Sequence, residues 1–353
     1  MKKFLLFLFS FALLSAFTFQ GKAQLTCDTA MSVPQMVQNY LLGPGVQVTN
    51  ITYAGKKGSI AVFTTGTLPT NLGISSGILL TNGQTKGNPA IGSPASNLCD
   101  FQNSGSTDPQ LQALIPGATI LDASKLEFDF VPLMDTIKFR YVFASEEYPV
   151  MVGSSYNDVF GFFVTGPNPL GGNYTNSNIA LIPGTATPIA INNVNNGPAN
   201  AGPCTNCAYY VNNSSGTSIV YNGFTTVLTA WCRVVPCQSY HLKLAIGDAS
   251  DMSWDSGVFL EANSFVTNNI TVTANGAPSA SVCSGTPTTL DATGAVSYFW
   301  LPDSLYGPTV TVTPLVTTTY TVVGTSTMGC TGATSFTVNV RPIPTVTAEA
   351  NQI

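Results

Sequence analysis

The chain carries little charge, and little of that charge is basic. Charged residues make up 8% of its 353 residues, and His241 is its single histidine. Twelve Lys and Arg residues stand against seventeen Asp and Glu residues, and the basic ones adjoin only at Lys2-Lys3 and Lys56-Lys57. Nucleic-acid-binding domains gather basic residues on one face, so we expect no nucleic-acid partner.

Long apolar runs are also missing, except at the N-terminus. Lys2-Lys3 precedes an apolar stretch from Phe4 to Phe17, and Gly21-Lys22-Ala23 places small residues before a cleavage site. The stretch is shorter than the roughly 20 residues that span a bilayer. We therefore predict a signal peptide at 1–23, no transmembrane segment after its cleavage, export by a secretion machinery, and an extracellular or outer-surface location.

Eight cysteines in an exported chain favour disulfide bonds. They are Cys27, Cys99, Cys204, Cys207, Cys232, Cys237, Cys283 and Cys330. Closeness in sequence favours the pairs Cys204–Cys207 and Cys232–Cys237, which leaves Cys27–Cys99 and Cys283–Cys330. A zinc site is the alternative, because Cys204-x-x-Cys207 has ligand spacing. The single histidine and the oxidising compartment favour disulfides.

The first 265 residues are typical of an all-β protein. Glycine (32) and proline (23) are frequent, and short apolar segments alternate with turns. A single helix is predicted at 28–45, and long polar loops at 82–110, 167–178 and 192–213. The predicted strands are 46–53, 60–64, 77–81, 125–131, 137–143, 159–165, 179–181, 189–194, 224–232, 240–246 and 257–260. Strands at this frequency predict an antiparallel β-sandwich, jelly-roll-like, at 24–265.

A second all-β unit is predicted at 266–341. About seven short strands are the number expected of an immunoglobulin-like sandwich. Cys283 and Cys330 would close this unit by a bridge near Trp300. Residues 342–353 echo the beginning of the unit, which indicates the start of a further repeat or a linker.

Two acidic segments carry the chemical interest of the sequence. The first contains Glu146, Glu147 and Asp158, and the second contains Asp248, Asp251 and Asp255. Carboxylate, hydroxyl and backbone oxygens at such spacing suit Ca²⁺, which takes roughly 6–8 oxygen ligands in flexible geometry. We therefore predict these six residues as calcium ligands. The alternative is a set of solvated or turn-capping carboxylates.

An enzyme is a weaker interpretation. Two of the carboxylates could act as the acid and base of a glycosidase, which needs them about 5–10 Å apart across a sugar cleft. Catalysis by a serine triad would have to use His241, but no G-x-S-x-G motif is present. Five aromatic residues could line a carbohydrate-binding surface, although packing is the favoured role for most. They are Tyr148, Tyr156, Tyr209, Tyr210 and Trp254.

The short sequence motifs around the acidic segments resemble those of the choice-of-anchor L domain of exported bacterial surface proteins. The most specific is Ala144-Ser145-Glu146-Glu147-Tyr148, and Tyr156–Phe162 and Ala245–Ala249 also match. The likeness covers roughly 27–265. It implies an extracellular interaction protein and supplies no catalytic residues. One departure is Pro149-Val150, where the resemblance leads us to expect an acidic residue.

The second unit is similar to immunoglobulin-like modules of Bacteroidota surface proteins, including those that end in a gliding-motility-associated C-terminal domain. Val282-Cys283-Ser284-Gly285 and Thr317–Val322 carry this likeness. It implies outer-membrane passage by type IX secretion, although no sorting domain is visible in the sequence.

Together these features predict a non-enzymatic adhesion or recognition protein. It would bind an extracellular protein or glycan through loops ordered by Ca²⁺, with the second unit as a spacer. The alternatives are a carbohydrate-binding or glycan-active module that uses the acidic residues, and a purely structural repeat of a surface filament.

Overall fold

The computed structural model describes residues 25–43, 46–66, 70–86, 91–93, 95–96, 106–267 and 270–341. The predicted signal peptide, Cys99 and the predicted repeat or linker at 342–353 lie outside these residues. The described residues form two units, 25–267 and 270–341, built of β-strands with a few short helical turns. Within them, no helix has the length and apolar character needed to cross a membrane.

The first unit contains the strands and helices that position the acidic segments. Its strands are β1 (Thr26–Asp28), β2 (Val48–Ala54), β3 (Ile60–Thr64), β4 (Ser76–Thr81), β5 (Ile120–Phe130), β6 (Thr136–Ser145), β7 (Val159–Pro167), β8 (Asn173–Asn178), β9 (Ile189–Ala190), β10 (Tyr210–Asn212), β11 (Gly223–Thr225), β12 (Leu228–Arg233), β13 (Tyr240–Ala249) and β14 (Ser256–Glu261). Its α-helices are α1 (Val33–Met36), which continues as a π-helical turn (Val37–Leu41), and α2 (Pro109–Leu114). Short 3-10 turns lie at Lys57–Ser59, Ile191–Asn193, Pro198–Asn200 and Cys207–Tyr209.

These strands form two antiparallel sheets that pack face to face. The eight-stranded sheet has the order β1-β3-β4-β14-β6-β11-β10, and β12 also pairs with β6. The six-stranded sheet has the order β2-β5-β13-β7-β8, and β9 also pairs with β7. The predicted all-β sandwich is confirmed.

The core between the sheets follows from alternation along each strand. Leu126, Phe128 and Phe130 of β5 are buried in it, whereas Glu127 and Asp129 lie on the outer face and are half-buried. Successive residues of a strand point to opposite faces, so the sequence pattern predicted this arrangement correctly. Burial of each large apolar side chain contributes about 1.5–3 kcal/mol.

The second half of strand β6, from Tyr141 to Ser145, is buried on both faces. Phe139, Tyr141 and Phe143 point into the core between the sheets. Val142 and Ala144 belong to a second apolar cluster on the opposite face of the eight-stranded sheet. Because both faces are covered, this strand carries consecutive apolar residues and leads directly into the first acidic segment.

The helix predicted at 28–45 is much shorter in the structure. It begins at Val33, and the side chain of Gln35 accepts a hydrogen bond from the backbone N–H of Ser32 (3.0 Å). The chain becomes extended at Leu42, which forms a bridge with Phe265. Contact with the sandwich therefore ends the helix before the glycines that the sequence suggested as its stop.

Several predicted strands differ from the observed ones. β8 lies inside a predicted loop, because this edge strand is polar and largely exposed, so it lacks the apolar alternation of a half-buried strand. The strand predicted at 179–181 is reduced to an isolated bridge at Leu181, and the one at 189–194 to the two residues of β9. The strand predicted at 224–232 is divided into β11 and β12. β13 runs to Ala249, so Asp248 lies in a strand rather than in the predicted loop.

The second unit has its own pair of sheets and its own core. Its strands are β15 (Thr271–Ala274), β16 (Ala280–Cys283), β17 (Thr288–Thr293), β18 (Ser297–Leu301), β19 (Leu305–Tyr306), β20 (Thr309–Val312), β21 (Thr318–Thr325) and β22 (Thr331–Arg341). They form the sheets β15-β17-β20 and β16-β22-β21-β18-β19. Among the strand pairs that the structure describes in these two sheets, β16–β22 is parallel and the others are antiparallel. Trp300 is fully buried in the core and donates to the carbonyl of Gly307 (2.9 Å). The immunoglobulin-like assignment stays a prediction.

The disulfide bonds correct two of the predicted pairs. Cys204–Cys207 forms as predicted. Cys237, however, pairs with Cys330 across the two units, 93 residues away. The predicted Cys232–Cys237 and Cys283–Cys330 bonds are therefore wrong, and Cys232 is a buried thiol and Cys283 an exposed one.

The predicted pairs joined cysteines that are close in sequence. They were wrong because the fold brings the turn before β13 next to the turn between β21 and β22. Burial raises the pKa of the Cys232 thiol to about 12, which keeps it protonated. Cys27 is also a free thiol, and its predicted partner Cys99 lies outside the described residues.

Noncovalent contacts fix the turn after β5 at the junction between the units. Within the first unit, the backbone N–H of Leu133 donates to the carbonyl of Thr267 (2.8 Å), and that of Cys237 donates to the carbonyl of Pro132 (2.8 Å). The Leu133 side chain packs against the core of the second unit and leaves no room for a side chain at Gly332. The turn that follows β5 therefore packs against the second unit.

Loss of the Cys237–Cys330 bond should destabilise the protein far more than loss of Cys204–Cys207. In the chain-entropy description, a loop of this length contributes roughly 4–5 kcal/mol and a three-residue separation about 2 kcal/mol. We expect the Cys237→Ser/Cys330→Ser chain to melt well below the Cys204→Ser/Cys207→Ser chain in calorimetry. Equal losses in the two chains would show that the long bridge adds no constraint of its own.

Candidate functional site

The two acidic segments meet at one end of the first unit. Glu147 follows the end of β6, and Asp255 precedes β14, which pairs with β6 in the eight-stranded sheet. Asp158 precedes β7, and Asp248 lies near the end of β13, which pairs with β7 in the six-stranded sheet. The fold therefore brings carboxylates from both sheets together. We call Glu147, Asp158, Asp248, Asp251 and Asp255 the carboxylate cluster.

Most of the predicted site residues are buried. Glu146, Asp158 and Asp248 have no exposed surface, and Glu147 and Asp255 are only 1% and 2% exposed. The alternative in which these carboxylates are solvated is therefore wrong for five of the six residues. Asp251 is the one that is partly exposed.

Asp158 is the centre of the hydrogen-bond network. One of its oxygens, Oδ1, accepts from the backbone N–H of Ala249 (3.0 Å). The other, Oδ2, accepts from the Ser256 hydroxyl (2.6 Å) and from Asn82 Nδ2 (3.2 Å). The backbone N–H of Asp158 donates to Glu147 Oε2 (3.4 Å). A single residue, through its carboxyl and its backbone N–H, thus ties together the ends of β4, β6, β7, β13 and β14.

Asn82 links the carboxylates to one another. Besides its contact with Asp158, its Nδ2 donates to Asp248 Oδ1, and its Oδ1 accepts from the backbone N–H of Ser256 (2.7 Å). Asn82 is fully buried and directly follows β4. Its neighbour Gly83 has no room for a side chain because the Asp255 carboxylate occupies that space.

Glu146 is held by its backbone. Its N–H donates to the carbonyl of Asp255 (3.1 Å), and its carbonyl accepts from Asn222 (2.7 Å). Glu146 and Glu147 both lie beyond the end of β6, and both are buried.

Burial and mutual repulsion raise the pKa values of the cluster. Desolvation is the largest cause for Glu147, followed by the charge of Asp158, and the pKa of Glu147 lies well above its usual range. Desolvation also raises the pKa of Asp158 to about 6, against the hydrogen bonds that lower it. For Asp248, desolvation and the charges of Asp158 and Asp255 raise the pKa strongly.

One carboxylate oxygen of the cluster lacks a hydrogen-bond donor among the described residues. Asp248 Oδ2 is buried and receives no hydrogen bond from a described residue. A buried carboxylate oxygen without a partner is costly, and a proton or a cation would relieve that cost. Within the described ranges, no three His, Cys, Asp or Glu side chains are already arranged as a metal-coordination shell. A cation would therefore have to displace protons from the carboxyls of raised pKa and draw the oxygens together.

Sequence reasoning missed two members of the site, Asn82 and Ser256. Asn82 lies at the start of the polar loop predicted at 82–110, and Ser256 lies just before the strand predicted at 257–260. The sequence pattern that could have indicated Asn82 is Thr81-Asn82-Gly83 at the end of an apolar strand. An asparagine side chain carries both a donor and an acceptor and can therefore link several polar groups. Its pairing with carboxylates far along the chain could not be seen.

The aromatic residues near the site mainly pack, as expected. Tyr148 is fully buried, and its hydroxyl donates to the carbonyl of Val194 (2.8 Å). Tyr209 and Tyr210 pack against the main core, and Tyr156 and Trp254 are half-buried.

His241 lies away from the cluster, on the outer face of the six-stranded sheet. Its Nδ1 is 2.7 Å from Asp129 Oδ1, and its Nε2 is 3.0 Å from Glu127 Oε2. Both ring nitrogens are thus engaged by carboxylates, so neither is left to activate a nucleophile.

The chain belongs to the choice-of-anchor L domain family, which it matches over residues 24–266. This membership confirms the resemblance read from the sequence and fits a role in recognition or adhesion at the cell surface. No curated protein matches the chain.

Three solved structures show distant similarity. The adhesin domain of Epf from Streptococcus pyogenes is 10% identical, with 86% of this chain and 99% of that chain covered and a TM-score of 0.22. The M60 catalytic domain with two CBM51 domains of Clostridium perfringens ZmpB is 12% identical, with 84% and 28% covered and a TM-score of 0.23. A beta-1,2-glucanase from Parabacteroides distasonis is 8% identical, with 87% and 38% covered and a TM-score of 0.17. At these scores the similarities carry no functional argument.

The raised pKa values predict that the metal-free protein loses stability as the pH rises. At low pH the carboxyls are protonated in both the folded and unfolded states. Above about 3.8 the unfolded chain ionises while buried Asp158 stays protonated to about 6, which lowers the free energy of unfolding by about 3 kcal/mol. Melts in chelator from pH 4 to 7.5 should show this fall.

The Asp248→Asn variant is the matched test of that pH dependence. It removes one ionisable group and keeps the shape, so its melting midpoint should depend less on pH and should exceed that of the unaltered chain at pH 7.5 in chelator. A midpoint of the unaltered chain that increases steadily up to pH 7.5 would contradict the account.

Proposed function

We propose that this protein is a non-enzymatic, exported recognition or adhesion module whose binding loops are ordered by a calcium ion in the carboxylate cluster. The observation that supports it is the convergence of five acidic residues from both sheets at the end of the sandwich opposite the second unit. The extracellular location and the spacer role of the second unit, as an immunoglobulin-like module exported by type IX secretion, belong to the same proposal.

The position of the cluster would leave its loops exposed at the end of the first unit that lies away from the second unit. β13 begins three residues after Cys237, which is bonded to the second unit, and ends at the cluster. At about 3.3 Å per residue, Tyr240 and Asp248 are roughly 25–30 Å apart. The junction and the cluster therefore lie at opposite ends of the sandwich, and a second unit that serves as a spacer would leave the loops of the cluster free to meet a partner.

Calcium suits this cluster because the ion prefers several oxygen ligands in flexible geometry. Asp158, Asp248 and Glu147 would hold it, with Asp251 and Asp255 supplying further carboxylates. The buried Asp248 Oδ2, which receives no hydrogen bond from the residues that the structure describes, fits such a role. A bound ion would favour the ionised carboxyls and remove the repulsion that raises their pKa values. The loops that carry Asp158 and Asp251 would then be fixed for recognition.

Burial argues against the glycosidase alternative for these residues. A glycosidase needs two carboxyls that face each other across an open sugar cleft. Glu146, Glu147 and Asp158 are at most 1% exposed, and Asp255 is 2% exposed. Sugar could not reach them without opening the sandwich.

Thermal melts of the full chain test the calcium site. At pH 7.5, millimolar CaCl2 should raise the melting midpoint by several degrees over chelator, since a ligand at 100 times its Kd stabilises by about 2.7 kcal/mol. Asp248→Asn should remove this increase, whereas Asp303→Asn, which alters an exposed carboxylate of the second unit, should retain it.

The same melts can refute the calcium site. Equal midpoints in calcium and chelator for the unaltered chain would do so, and so would an undiminished increase in Asp248→Asn. MgCl2 in place of CaCl2 should have a smaller effect, because Mg²⁺ demands stricter octahedral geometry.

A further inference from the structure

A cleft of about 420 Å³ lies where the two units meet. One wall comes from the first unit and includes Thr49 of β2 and Asp129 of β5. The other comes from the second unit and includes Thr331 and Ala333 of β22. Its volume falls in the range of small-molecule sites, which favour the interfaces between domains.

The two walls have a fixed separation. The Cys237–Cys330 bond joins the units, and Leu133 at the floor of the cleft packs onto the second unit. The backbone bond from Leu133 to Thr267, another lining residue, closes the floor. A ligand would meet a preformed site and would not have to order two mobile units on binding.

The lining mixes apolar and polar groups and is almost uncharged. Hydroxyl and amide groups come from Gln47, Thr49, Ser239 and Thr331, all of them on exposed residues. Among the described lining residues, Asp129 alone carries a charge. The absence of a cation from this described lining disfavours an anionic ligand. A neutral ligand with hydroxyl groups suits the lining better, because each hydroxyl can both donate a hydrogen bond to these groups and accept one from them.

Asp129 is held in place as an acceptor. Its Oδ2 accepts from Asn50 Nδ2 (2.6 Å), and its Oδ1 is 2.7 Å from His241 Nδ1. Partial burial acts to raise the pKa of Asp129, but the hydrogen bonds from Asn50 and His241 outweigh it and lower that pKa. Each carboxylate oxygen can accept more than one hydrogen bond, so both can also accept from a ligand.

We propose that this cleft is a binding site for a neutral, hydroxyl-rich ligand of the carbohydrate class, with Asp129 accepting hydrogen bonds from the ligand's hydroxyl groups. The site lies at the opposite end of the first unit from the carboxylate cluster and goes beyond the calcium-ordered function. Phe130 is buried and offers no stacking platform, so binding is weak.

Titration of the full chain with maltose, cellobiose and lactose tests the site, with saturation-transfer NMR as the readout. At least one of these neutral sugars should bind saturably to the protein with a millimolar Kd, and glucuronic acid should not bind. Thr49→Trp and Ala333→Trp fill the cleft from opposite walls, and each should weaken binding at least tenfold. Ser279→Trp, at an exposed position in a turn of the second unit and outside the cleft lining, should bind like the unaltered chain.

The outcomes separate this proposal from the calcium site. Binding should be equal in calcium and in chelator, because the cleft uses none of the cluster residues. Absence of saturation by all three neutral sugars would overturn the proposal, and so would equal affinity in the two cleft-filling variants and Ser279→Trp. Thr49 is exposed and Ala333 half-buried, on different units, so if one tryptophan variant misfolds the other still decides the result.

Discussion

The first unit depends on the hydrogen bonds that converge on Asp158. Donors from Ala249, Ser256 and Asn82 fix its carboxyl, and its own N–H reaches Glu147. These contacts join the ends of strands from both sheets, where a sandwich would otherwise be closed only by loops. The cost is the burial of several acids side by side, which raises their pKa values and leaves Asp248 Oδ2 without a donor in the described part of the chain. The proposed calcium ion would turn that cost into a stabilising interaction.

A second constraint acts at the other end of the same strand. β13 begins next to the Cys237–Cys330 bond and ends at Asp248, so one strand connects the junction of the two units with the carboxylate cluster. The bond and the Leu133 contact fix the second unit relative to the first. This geometry separates the two proposed recognition sites, the loops over the cluster and the cleft at the junction.

The sequence predicted what depends on local pattern. The alternation in β5 gave the correct faces for Phe128 and Glu127, and the acidic segments were recognised as the chemically distinctive part. Contacts between distant residues were not predictable, and this is why Asn82 was missed and Cys330 was paired with the wrong cysteine. The edge strand β8 was missed because it is stabilised by backbone pairing with β7 rather than by burial of its own side chains.

Isothermal titration of the full chain with CaCl2 at pH 7 tests the central claim most directly. The account predicts about one calcium ion per chain, with proton release visible as heats that depend on the ionisation enthalpy of the buffer, because the ion displaces protons from carboxyls of raised pKa. Asp248→Asn should bind much more weakly. Absence of binding at millimolar calcium, or binding that Asp248→Asn leaves unchanged, would contradict a calcium site in the carboxylate cluster.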